Sequence, residues 1–109
     1  MSFDVDEVLG DMVEAAGGVL GEHIEDIRDF AETEFKKLAD TAELIIRLRA
    51  DGKIDDDEAR LHFRLQKNAT QIVLLAIEGL GILAVEQALN AAINVLKNAV
   101  NTATGFALV

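Results

Sequence analysis

The stretch DGKIDDDE, residues 51–58, decides the fold, because it fits two different structures. One is the second half of a calcium-binding loop, and the other is a corner between two helices. In an EF-hand, Gly52 would stand at the sharp turn and Glu58 would be the last ligand of the loop. Positions 1 and 3 of the loop would then be Arg47 and Arg49, which place two cations where carboxylates should bind the metal. The sequence therefore favours the helical corner over a calcium site.

The same residues supply the signals that end one helix and begin the next. Gly52 suits the left-handed backbone conformation that commonly follows a helix C-terminus. Asp55 is the predicted N-cap of the second helix, and Glu58 follows three residues later, as a capping box requires. These signals divide a single predicted domain into helix 4–50, turn 51–54, helix 55–103 and an apolar tail at 104–109.

The amino-acid composition limits the classes of protein that fit this chain. Its 109 residues suffice for one domain, and they include no Cys and no Pro. Without Cys there is no disulfide framework and no thiol-based zinc site, and without Pro nothing interrupts long helices. The opening residues do not resemble a signal peptide, so the expected location is cytoplasmic.

Charge is distributed unevenly along the chain, whose formal net charge is −10. Residues 1–58 contain 18 of the 20 acidic residues, so the first predicted helix has an acidic side that is expected to face solvent. There is no basic stripe that could neutralise the phosphates of a nucleic acid. The charge pattern therefore argues against a nucleic-acid partner.

The two predicted helices would fold at Gly52 into an antiparallel hairpin, which sets the register between them. In that register Arg28 lies level with Glu78, and the two side chains are expected to form a pair that helps to define the register. A break at Gly17 and Gly18 that splits the first helix is an alternative to close packing there. Small residues that would allow the helices to approach closely are Gly17, Gly21, Ala84 and Ala88.

The second predicted helix is apolar around most of its circumference, which is typical of a helix buried on several sides. A hairpin buries only one side of each helix, and each large apolar side chain left in water forgoes about 1.5–3 kcal/mol. The hairpin is therefore predicted to associate with copies of itself into a four-helix bundle or a larger helical assembly. The predicted oligomer interface consists of Leu74, Leu75, Ile77, Leu80, Ile82, Leu83, Val85 and Leu89.

Two alternatives to a self-associating structural protein remain open. In the first, residues 69–89 enter a membrane, at the cost of placing Glu78 and Glu86 in lipid. In the second, the bundle holds a metal and acts as an enzyme. Neither His23 nor His62 has a Glu three residues before it, as di-iron bundles require, which disfavours this alternative.

The sequence as a whole predicts an all-α protein without catalytic residues, cofactor or metal. We expect a structural or assembly protein whose first partner is another copy of itself. It would be a component of a larger particle or machine, whose other proteins could dock on the apolar C-terminal tail.

Overall fold

The computed structural model describes residues 3–21, 23–77 and 81–108, and these residues form an all-α bundle. Helix α2 packs on both α1 and α3, and α1 also packs extensively on α4. The bundle measures 43 × 24 × 18 Å, and the 28 residues of α2 extend over about 42 Å of the long dimension. The helices of the described residues are α1 (Val5–Leu20), α2 (His23–Ala50), α3 (Asp56–Leu75) and α4 (Ile82–Thr104).

The long helix predicted over residues 4–50 is divided in the structure. α1 ends at Leu20, and Gly21 follows with a φ of +60°, a region that glycine enters without a steric penalty. The Gly21 N–H donates a hydrogen bond to the Gly17 carbonyl at 2.9 Å, and α2 begins at His23. The break therefore lies at the end of the glycine-rich segment rather than at Gly17 and Gly18.

The second long helix, predicted over residues 55–103, is also divided. α3 ends at Leu75, where the Ala76 and Ile77 N–H groups donate to carbonyls three residues earlier, at 3.1 and 3.2 Å. α4 begins after Gly81, which caps it without a side-chain hydrogen bond. Four antiparallel segments bury apolar surface that a two-helix hairpin would leave in water, which is the physical reason for both breaks.

At the corner between α2 and α3, Asp55 and Glu58 form a capping box. The Asp55 carboxylate accepts a hydrogen bond from the Glu58 N–H at 2.8 Å, and the Glu58 carboxylate accepts one from the Asp55 N–H at 3.2 Å. Gly52 has a φ of +70°, and Arg49 Nε donates to Asp56 at 2.7 Å across the corner. These interactions hold the end of α2 against the start of α3.

The C-terminal tail is part of the core. Phe106 and Leu108 are buried, and the guanidinium carbons of Arg49 and Arg60 lie 4.3 and 5.1 Å from the centroid of the Phe106 ring. Arg60 Nε also donates a hydrogen bond to the Ala107 carbonyl at 3.1 Å. Within the described part of the tail, which ends at residue 108, both large apolar side chains are therefore packed against their own chain.

Two glycines are expected to respond to alanine in opposite directions. A β-carbon at Gly10, in the interior of α1, would meet no atom within 4 Å, so Gly10→Ala should raise the free energy of unfolding by about 1 kcal/mol. Gly52→Ala should lower it by about 1–2 kcal/mol, because the φ of +70° is strained for a residue with a β-carbon. Chemical denaturation of both variants measures the two effects. A Gly10→Ala variant less stable than the wild type would contradict the open surroundings of this position.

Candidate interaction surface

Helix α3 carries an apolar stripe on the side opposite to the core. Leu61, Leu65 and Ile72 are four and seven residues apart, so they share one side of the helix. Their side chains are 48%, 58% and 69% exposed, whereas Phe63 on the opposite side is fully buried. α3 is therefore apolar on two sides, of which one is covered by the bundle and the other faces solvent.

A groove between α2 and α3 extends this stripe towards α2. Leu44 and Leu48 line the groove from α2, and Leu65 lines it from α3 beside His62 and Gln66. Leu44 is exposed, although it is a large apolar residue. We call the combined surface the α2–α3 face, and it consists of Leu44, Leu48, Leu61, Leu65 and Ile72.

The acidic side chains of α2 nearest to this face are paired with bases. The buried Glu34 accepts a hydrogen bond from Lys37 Nζ at 2.9 Å, and Lys37 lies two turns before Leu44 on the same side of the helix. Asp40, one turn before Leu44, accepts a hydrogen bond from Lys36 Nζ at 2.8 Å, which raises the pKa of Lys36. On its α2 side the face is therefore bordered by paired acids, whereas on α3 the exposed Asp57 and Glu58 lie one turn before Leu61.

Helix α1 presents an acidic surface, in contrast to the apolar α2–α3 face. The helix contains no Lys or Arg, and its acidic residues are exposed. Phe3, Val8 and Asp11 line a hollow with Val95 and other residues of α4, so Asp11 borders the contact between the first and last helices. The acidic residues of α1 are Asp6, Glu7, Asp11 and Glu14.

Part of the oligomer interface predicted from the sequence is buried in the core of the single chain. Leu74, Val85 and Leu89 are almost fully covered, and Ile77 packs against the core from a partly buried position. They acquire partners within the chain because residues 55–103 fold into two helices rather than one. In the single chain these side chains pack against its own helices, so their part in an oligomer interface stays a prediction.

The rest of the predicted interface lies around the connection between α3 and α4. Leu75, Ile82 and Leu83 are exposed there, and Leu80 lies outside the described residues. Ile82 and Leu83 are consecutive residues of α4, so their side chains point in directions about 100° apart. The exposed apolar residues of α3 form a single stripe along one side of the helix, whereas Ile82 and Leu83 do not.

The four small residues predicted to allow close helix packing have different surroundings. Ala88 is buried, and Ala84 is partly buried against the core. Gly17 lines a hollow between α1 and α2. Gly21 has open space where a β-carbon would stand, so its role is to end α1 and not to bring two helices together.

The predicted register pair cannot be compared with the structure in full, because Glu78 lies outside the described residues. Arg28 is exposed and its Nη2 donates a hydrogen bond to Glu25 at 3.3 Å within α2. Arg28 also lines the hollow between α1 and α2 together with Gly17. Its position on α2 therefore places it beside α1.

Within residues 3–21, 23–77 and 81–108, no helix combines the length and the apolar character needed to cross a membrane. The same parts of the chain contain no cluster of three or more His, Asp or Glu residues that could hold a metal ion. At the corner, the carboxylates of Asp55 and Glu58 bind backbone N–H groups, and Asp56 binds Arg49. The Asp55 and Glu58 carboxylates therefore cap helix α3, and the Asp56 carboxylate joins its first turn to α2.

No protein-family model matches the chain, and no curated protein or solved structure is significantly similar to it. Its function therefore has to be inferred from the exposed side chains of the chain itself.

Proposed function

We propose that the protein is a non-enzymatic structural protein that associates with copies of itself into a helical homo-oligomer. The observation that carries this proposal is the α2–α3 face, where large apolar side chains remain in solvent although the chain already has a core of its own. Isolated apolar residues are normal on protein surfaces, but a continuous apolar stripe is typical of an interaction site. Burying such side chains against a second copy would stabilise the complex.

The unit of this assembly differs from the hairpin expected from the sequence. Each chain supplies four helices, so the copies would associate as folded bundles rather than complete one bundle from two hairpins. The exposed residues around the α3–α4 connection, Leu75, Ile82 and Leu83, offer apolar surface for further contacts in a larger particle. The acidic α1 helices would remain on the outside, where charge favours hydration.

The mass of the purified protein in detergent-free buffer tests the proposal. Light scattering behind a sizing column should give a sharp peak at a whole multiple of the 11.8 kDa chain. A peak at 11.8 kDa throughout a concentration series would contradict self-association. Aggregates that become discrete only in detergent would support membrane association through residues 69–89, and stoichiometric iron or manganese would contradict a non-enzymatic role.

A further inference from the structure

We infer that Arg60, Arg64 and Lys67 form a binding site for the phosphate group of a small soluble molecule. The three side chains line one hollow together with Leu108 of the tail, and we call it the basic hollow. Its volume of about 260 Å³ lies just below the range of about 300–1,000 Å³ that is usual for drug-sized ligands, so a small ligand suits it. The inference goes beyond the proposed function and does not depend on self-association.

The first support is the spacing of the three bases. Arg64 follows Arg60 by four residues and Lys67 follows Arg64 by three, so the three side chains share one side of α3. Like charges at these spacings repel each other and destabilise a helix. An anion bound between them would remove this repulsion.

The second support is that the chain itself leaves much of this positive charge without a partner. Among the described residues, Arg64 and Lys67 form no ion pair. Arg60 Nη1 lies 3.8 Å from Asp57, but the Asp57 side chain is 99% exposed, so water weakens this pair. By contrast, an acid pairs with each Lys and Arg of α2, namely Arg28, Lys36, Lys37, Arg47 and Arg49.

The third support is that Arg60 is already held in place. Its Nε donates a hydrogen bond to the Ala107 carbonyl at 3.1 Å, and its guanidinium carbon lies 5.1 Å from the centroid of the buried Phe106 ring. These contacts use one N–H donor and leave those of the two terminal nitrogens for an anion. A side chain that is held in advance loses less conformational entropy when a ligand binds.

The chemistry of the three bases favours phosphate over a carboxylate. The planar guanidinium of arginine matches two phosphate oxygens at once, and lysine adds a compact positive charge. A phosphate monoester carries a charge of about −1.5 to −2 at neutral pH, whereas a carboxylate carries a single charge. Three converging cations are therefore better matched by the phosphate group.

The size of the cluster favours a single phosphate group over a nucleic acid. A protein held on a nucleic acid by charge makes many phosphate contacts, on the order of 6–10, whereas the basic hollow offers three cations. The exposed Asp57 and Glu58 lie on the same helix, and the chain has a net charge of −10. A long polyanion would meet these negative charges, but a small ester would not extend to them.

Calorimetric titration of the full chain with inorganic phosphate and with ethyl phosphate tests the inference. Arg64→Gln removes one cation of the basic hollow, and Arg28→Gln makes the same change about 30 Å along α2 from Arg49, which contacts the same Phe106 ring as Arg60. Both side chains are exposed, so both variants should keep the helical circular dichroism of the wild type. At an ionic strength of about 0.1 M, charges more than about 10 Å apart are largely screened. Arg64→Gln should therefore raise the dissociation constant on the order of 10-fold, and Arg28→Gln by less than about 2-fold.

A second variant tests whether the bases act together. Lys67→Gln lies one turn further along α3 and should also raise the dissociation constant on the order of 10-fold. Unchanged affinity in this variant would mean that Arg64 binds anions by itself, which would overturn the shared site.

Three further results would overturn the inference. A wild type that binds neither inorganic phosphate nor ethyl phosphate has no phosphate site, and equal weakening by Arg64→Gln and Arg28→Gln would show an effect of net charge alone. Acetate bound as tightly as ethyl phosphate would contradict the preference for phosphate. Binding to vesicles that contain phosphatidic acid, without binding to ethyl phosphate, would contradict a soluble ligand and indicate a lipid headgroup.

Discussion

Phe63→Ala is expected to lower the free energy of unfolding by about 3–5 kcal/mol. Phe63 is fully buried on α3, where it faces the core, and removing its ring leaves a cavity that the neighbouring helices cannot close completely. Domains of this size are stabilised by only about 5–15 kcal/mol, so the variant should lose a large share of its stability.

Phe30→Ala is the matched control for this prediction. Phe30 lies on α2 and is 45% exposed, so the same substitution should cost less than about 1.5 kcal/mol. Urea denaturation followed by circular dichroism measures both free energies. Equal destabilisation by the two substitutions would mean that the buried side of α3 is assigned wrongly, and with it the exposed stripe of Leu61, Leu65 and Ile72.

Phe106→Ala is expected to lower the free energy of unfolding by about 3 kcal/mol. Phe106 follows the end of α4, is buried, and lies against the guanidinium groups of Arg49 and Arg60. The substitution removes apolar burial and both cation–π contacts. Thermal denaturation should show a clearly lower midpoint than that of the wild type.

The neighbouring residue provides the control for the tail. Ala107 is exposed and contributes only its carbonyl group to Arg60, so Ala107→Ser should change stability by less than about 0.5 kcal/mol. If Phe106→Ala is equally neutral, the tail does not pack on the corner in solution. A free tail would then be available to dock other assembly proteins, which was the alternative to a tail that caps the bundle near Phe3.

The corner at residues 51–58 could be predicted because its signals are local. A glycine with positive φ and a capping box depend on residues within one turn of each other, and no distant contact has to be known. The break at Gly21 could not be located in this way. Apolar residues continue at helical spacing through Leu20, so the end of α1 depends on packing against α2 and α4.

The division of the apolar side chains between core and surface was harder to predict for a related reason. The most apolar segment of the sequence, residues 72–89, supplies Leu74, Val85 and Leu89 to the core of the single chain. The less apolar start of α3 leaves Leu61 and Leu65 uncovered. Hydropathy measures how much a side chain gains from burial, but it does not show which apolar side of a helix is covered within the chain.

The packing of α1 on α4 has a consequence for the rate of folding. These helices are separated by nearly the whole length of the chain, whereas α2 and α3 are joined by a short corner. Contacts between distant segments form more slowly than local ones, so we expect the α2–α3 pair to form first and the α1–α4 contact to be the slow step. The contact that limits folding and the surface proposed to join two copies belong to different helix pairs. Substitutions could therefore change the folding rate of the chain without changing its affinity for a second copy.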